Sequence, residues 1–182
     1  SLAAVKDGRP VDTTMGFTRT AGIVMATRTG DIDPGVLGFL SLTEGMTPDQ
    51  FYRMTNHDSG LLGISETSPD FRELLSREAT DVRASEAISL FCYRVRLAIG
   101  AYAAALGGLD TLVFSGGIGE TSSEARGRIC SGLEFLGIAL DEPRNQTHQP
   151  RISRENERVR VRVIPTDEES MIARLTAEKL LS

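Results

Sequence analysis

The segment that most constrains the fold is Leu109-Asp110-Thr111-Leu112-Val113-Phe114, followed at once by Ser115-Gly116-Gly117-Ile118-Gly119. A β-branched and aromatic run of strand length that turns through glycines into a helix-forming stretch is half of a strand–helix–strand unit, and so points to an α/β protein. The helix is expected over about Ser122 to Leu136. Further on, basic and β-branched residues alternate from Arg158 to Ile164, which puts Val159, Val161 and Val163 on one buried face. After Pro165, an amphipathic helix is expected over Glu168 to Leu181.

The N-terminal part reads differently. Ser1 to Lys6 and Arg9 to Thr13 frame Asp7-Gly8, a strong hairpin turn pair. A hairpin at residue 1 with no preceding methionine implies a piece of a longer protein. Residues 14–29 read as loop. A helix is expected from about Pro34 to Glu44, with Asp33 as cap and Val36, Leu37, Phe39, Leu40 and Leu42 as an apolar stripe. Thr47 and Gln50 form a capping box for a helix over Pro48 to Thr55, and Asp58 to Gly63 breaks it. A short helix starts near Asp70. The longest covers about Val82 to Leu106, where apolar residues recur at i, i+3 and i+4, and Gly107-Gly108 ends it. Its stripe around Phe91, Val95 and Ile99 serves either a core or a partner.

At 182 residues the chain is long enough for one domain with a substantial core, or for two small lobes. A net charge of −5 and a pI near 5.1 argue against a general affinity for nucleic acid. The arginines of 151–162 alternate with Glu155 and Glu157, as on a solvated face. Cys92 and Cys130 lie far apart inside expected helices, which is neither a disulfide framework nor a metal-ligand spacing. That cysteine usage makes a reducing cytoplasm the default, and because no apolar stretch approaches the roughly 20 residues of a membrane span, a soluble protein is expected. His57 and His148 sit beside polar loop residues and are expected at the surface.

Four places carry candidate chemistry. Arg28, between Thr27 and Thr29 and ahead of Gly30-Asp31-Ile32-Asp33-Pro34, is placed to donate several hydrogen bonds to a phosphoryl group, or else to pair with Asp31 or Asp33. The turn Gly116-Gly117-Ile118-Gly119 offers backbone amides at a helix start to an adenosine or a phosphate, or is simply a tight connection. It is neither a Walker loop nor a dinucleotide fingerprint. Asp70-Phe71-Arg72 offers a carboxylate for ribose hydroxyls and a ring and a cation for an adenine, or a helix cap and first turn. Glu168 and Glu169 open a helix, where carboxylates suit the dipole, and Glu168 could also hold Mg²⁺ beside nucleotide phosphates.

Taken in order, Met15-Gly16-Phe17-Thr18, Thr27-Arg28-Thr29-Gly30-Asp31-Ile32-Asp33-Pro34, Ser59-Gly60-Leu61-Leu62-Gly63, Phe114-Ser115-Gly116-Gly117-Ile118-Gly119-Glu120 and Ile164-Pro165-Thr166-Asp167-Glu168-Glu169 resemble the acetate and propionate kinases from Ser1 to the end. The resemblance implies a ribonuclease-H-like α/β fold of the actin, sugar kinase and Hsp70 superfamily, a mixed sheet flanked by helices. It further implies that residues 1–182 are the C-terminal nucleotide-binding domain, with the N-terminal domain and its His-Leu-Gly-Asn-Gly loop outside this chain.

By the same resemblance Arg28 faces the transferring groups, and Asp70, Phe71 and Arg72 line the adenosine pocket. Gly117, Ile118 and Thr121 close over the adenine, with Gly116 and Gly119 shaping the turn, and Glu168 binds Mg²⁺. ATP or ADP, acetate or acetyl phosphate and a homodimer partner are implied, with no nucleic acid and no membrane. Three residues depart from the family pattern: Thr121 for asparagine, Ala26 for glycine, and Arg19 for a proline bordering the acyl pocket.

Overall fold

The computed structural model describes residues 1–181, which divide into two compact units, residues 1–109 and residues 110 onward. Each unit has buried apolar side chains of its own.

Unit one opens with the hairpin β1 (Ala3–Lys6) and β2 (Arg9–Thr13), antiparallel with a bulge between Ala4 and Val5. Asp7 and Gly8 both take positive φ, as the tight primed turn requires. Five helices follow: α1 (Gly35–Thr43), α2 (Pro48–His57), α3 (Gly60–Ser65), α4 (Phe71–Arg77) and α5 (Val82–Leu106). The Asp81 side chain caps α5 by accepting from the Arg83 and Ala84 amides, and Gly107 ends it in the left-handed conformation. Ala84, Ala87, Ile88, Phe91, Cys92, Val95, Ile99 and Ala103 form its buried stripe, which packs against α3, α4 and β1. The stripe is therefore core. At 25 residues α5 is also long and apolar enough by composition to cross a membrane, contrary to the sequence expectation.

Two features of unit one differ from expectation. α2 ends at His57, where the break at Asp58–Gly63 is expected, but residues 60–63 of that segment already belong to α3. In α1 no residue is buried, and Phe39 and Leu42 are 63% and 89% exposed, so the apolar stripe stands outside the core.

Unit two is built on the parallel pair β3 (Thr111–Phe114) and β4 (Arg160–Val163), in the register Thr111 opposite Arg160. An antiparallel bridge from Arg151 to Arg162 makes the sheet mixed. Val159, Val161 and Val163 are buried, as the alternation requires. Between the strands run α6 (Gly116–Thr121), α7 (Ser123–Cys130), a 3₁₀ turn at Glu134–Leu136 and α8 (Glu142–Gln146). The helix expected through Leu136 thus stops at Cys130, and the glycine turn is itself helical. The closing helix α9 (Glu168–Leu181) lies where expected, but every residue from Glu168 to Leu180 is exposed, including Ile172 and Leu175.

Candidate functional site

In unit one, Arg28 is half-buried on a loop held by its backbone. The carbonyls of Met25, Ala26 and Thr27 accept from the amides of Leu61 (2.8 Å), Leu62 (3.0 Å) and Ser59 (3.0 Å). The first amides of a helix have no partner inside it, and here the loop provides them. A turn bond from the Met25 amide to the Arg28 carbonyl (3.2 Å) and one from the Thr29 amide to Thr55 (3.0 Å) close the strap, and the Thr27 hydroxyl donates to the Asn56 carbonyl at 3.1 Å.

The Arg28 side chain makes no ion pair with a carboxylate among the described residues; its Nη1 lies 4.0 Å from Met25 Sδ. The acids that could have taken it are engaged elsewhere. Asp31 accepts from the Gly22 amide at 2.8 Å and stands 3.8 Å from Arg94, and Asp33 accepts from the Gly35 amide at 2.8 Å.

Asp70 caps α4, its Oδ1 accepting from the amides of Arg72 (2.7 Å) and Glu73 (3.3 Å). Its Oδ2 is 3.8 Å from Arg72 Nη2, and both side chains are at least half exposed. Phe71 points the other way. It is 3% exposed, with its ring 5.2 Å from that of Phe91. What this segment offers a ligand is therefore the Asp70 carboxylate and the Arg72 guanidinium, while the Phe71 ring is core rather than a face for adenine. No hydrogen bond joins this segment to Arg28 among the described residues.

In unit two, Gly116 takes φ +72° at the start of α6, and neither Gly116 nor Gly117 has an atom within 4 Å of where a Cβ would stand, so the backbone there is open to approach. Gly119 packs on Phe114, with 3.5 Å from that position to the Phe114 Cβ. Ile118 is half-buried, and the Thr121 hydroxyl donates to the Gly117 carbonyl at 2.6 Å, inside the helix itself.

Glu120 ties this helix to the loop that carries Glu168. One carboxylate oxygen accepts from the Gly116 amide (2.6 Å), the Thr166 amide (2.9 Å) and the Thr166 hydroxyl (3.0 Å). The amide of Thr166, then that of Gly116, holds its carboxyl below the ordinary range.

The other end of α6 is gripped by Arg126, a fully buried guanidinium that donates to the carbonyls of Gly119 (2.8 Å) and Glu120 (3.0 Å) and to Asn145 Oδ1 and O (both 2.8 Å). Burial lowers its pKa, against the opposing influence of Cys130 and Glu142. His148, exposed as expected, places Nδ1 3.1 Å from Arg126 Nη2 and 3.0 Å from the Glu120 carbonyl.

Glu168 is exposed at the first position of α9, on an open surface with Thr166, Asp167, Met171 and Ile172. No cluster of three His, Cys, Asp or Glu residues is placed to hold a metal by itself among the described residues. A hard cation that arrives with phosphate oxygens needs only one or two protein carboxylates, and the exposed Glu168 offers one. In the arginine-rich stretch 151–162, Arg151, Arg154 and Arg158 donate to backbone carbonyls.

The sequence reading gave no role to Glu120, Arg126 or Asn145. Glu120 follows the glycines directly, yet nothing local marks it as reaching residue 166. The buried arginine sits in a polar helical stretch that gives no sign of burial.

By fold the chain is a mixed α/β protein with small sheets flanked by helices. Its residues 1–174 match the model of the acetokinase family, and the chain belongs to that family. It is 49% identical over 176 residues to a propionate kinase of Citrobacter freundii, covering 95% of this chain and 43% of that protein. It is likewise 49% identical over 181 residues to an acetate kinase of Clostridium botulinum, covering 98% and 46%. The crystal structure of Porphyromonas gingivalis acetate kinase superposes with a TM-score of 0.93 at 42% identity, over 98% of this chain and 46% of that one. The chain thus spans somewhat under half the length of these relatives.

Proposed function

We propose that this chain is the C-terminal, nucleotide-binding half of a short-chain acyl kinase, which in complete form transfers the γ-phosphoryl group of ATP to acetate, giving ADP and acetyl phosphate. The observation that carries the reading is Arg28, held by its backbone on a strapped loop and left without a carboxylate partner among the described residues, in a chain that belongs to the acetokinase family. A guanidinium so held is preorganised to donate to the equatorial oxygens of a transferring phosphoryl group.

In the proposed reaction an acetate oxygen attacks the γ-phosphorus in line. The bond to the bridging oxygen of ADP breaks, and that oxygen leaves with its electron pair. Arg28 stabilises the charge spread over the phosphoryl oxygens. The Asp70 carboxylate takes ribose hydroxyls, Arg72 lies against the adenine, and the open backbone of Gly116 and Gly117 lets the nucleotide approach α6, with Ile118, Gly119 and Thr121 shaping its wall. Glu168 would hold Mg²⁺, which when bound neutralises phosphate charge.

Propionate is the second acceptor to weigh, because a propionate kinase and an acetate kinase are equally similar to the chain and Arg19 stands where the family has a proline by the acyl pocket. One methylene in an apolar pocket changes binding by only about 1–3 kcal/mol.

Calorimetric titration of Mg-ADP into this chain is expected to show saturable binding, weakened at least tenfold in Asp70→Ser. In the complete kinase, Arg28→Ala is expected to lower kcat on the order of 10³-fold with ADP affinity little changed. Equal loss of both quantities in the two variants would overturn these roles, and rates with acetate and propionate decide the acceptor.

A further inference from the structure

We infer that Gly60 is a positioning residue for Arg28, the point at which α3 receives the arginine loop. The inference rests on the phosphoryl-transfer role proposed above and adds a residue to it. Gly60 is buried and takes φ +64°. A Cβ built on it would stand 2.8 Å from the Arg28 carbonyl oxygen, 3.0 Å from that of Ala26 and closer still to that of Met25. All of these are backbone atoms, which cannot swing aside as a long side chain does. Three of the four loop residues 25–28 thus point their carbonyls at the space a side chain would fill.

The same carbonyls make the strap. Met25 and Ala26 accept from the amides of Leu61 and Leu62, Thr27 accepts from Ser59, and Arg28 closes the turn onto the Met25 amide. Any side chain at residue 60 must therefore push the loop off its amides, and Arg28 moves with it. The left-handed backbone adds to the cost for every residue but glycine. Catalytic groups must be placed to within about 0.5 Å, so a shift of this kind falls on turnover first. Asp70 lies on another element, and its contact with nucleotide does not depend on the strap.

The test is a double-mutant cycle in the complete kinase. Gly60→Ala is expected to lower kcat at least tenfold while the KM for ATP stays within about twofold. Combined with Arg28→Ala, it is expected to cause no further loss beyond twofold, because its effect passes through that side chain. A role in stability alone would give losses that multiply. Thr27→Val, which removes the hydroxyl bond to Asn56 at similar volume, is the milder second variant: a three- to tenfold loss of kcat at unchanged Tm, again absent when Arg28 is alanine. Multiplying losses, or full kcat in both single variants, overturn the inference. An innocuous Arg28→Ala overturns the role of Arg28 itself, and is read separately from the behaviour of residue 60.

Discussion

At the scale of single residues, the structure gives several side chains two tasks, and the tasks come apart in suitable substitutions. Asp70 is both a helix cap and the proposed ribose acceptor. Asp70→Ala removes both and is expected to cost about 1 kcal/mol of stability along with nucleotide affinity; Asp70→Ser keeps a capping oxygen, so its urea midpoint stays near that of the parent while ADP binding falls. Glu120 makes a pH prediction. Its folded carboxyl titrates below its unfolded value, so its contribution is complete above the unfolded pKa and is lost as pH falls through the folded one. Stability followed between about pH 5 and 3 is expected to fall less steeply in Glu120→Gln than in the parent. An unchanged acid limb would mean that Thr166 and Gly116 do not hold this carboxylate in solution. The Asp70 cap was legible locally in the sequence, whereas the Thr166 partner of Glu120 was not, since it lies on another loop 46 residues away.

At the scale of elements, the parts legible in the sequence are those whose cause is local. The capping box of α2 formed as read, and α5 runs over the residues its periodicity marked. The alternation at β4 put its valines inside. Misreadings occur where the cause is remote. α3 starts at a left-handed glycine and draws its N-terminal partners from residues 25–27, so a window around Ser59–Gly63 shows only a break. α1 has a sound apolar pattern, yet none of its residues is buried. α6 is held at its start by its own Glu120, which also reaches Thr166, and at its end by Arg126 of α7. Arg126→Met leaves the Gly119 and Glu120 carbonyls and Asn145 without their donor, and is expected to cost about 3 kcal/mol by urea unfolding. A cost under about 1 kcal/mol would show that other donors replace it.

At the scale of the whole molecule, each unit carries its own proposed functional residues. Unit one carries Arg28 and the Asp70 cap; unit two carries the glycine helix and Glu168. Several apolar side chains contribute to neither core, among them Phe17, Leu42 and Phe135, each more than 70% exposed. The motifs that pointed to phosphoryl transfer were legible because each is a short contiguous run, whereas the scaffold that holds them was not. Since the family relatives are about twice as long, the chain by itself is expected to bind nucleotide without turning it over. Acetyl phosphate formation by the purified 182-residue chain at the rate of a complete kinase would refute this expectation.

The strap at residues 25–27 is made of carbonyls, so the outward side chain of Ala26 takes no part in it. That makes Ala26 a natural seat for a spectroscopic reporter. Both cysteines of the chain, Cys92 and Cys130, are buried, so a thiol introduced by Ala26→Cys is the one a fluorophore reaches first. A probe there would sit two residues from Arg28 and would report motion of the arginine loop optically, on the timescale of a single turnover.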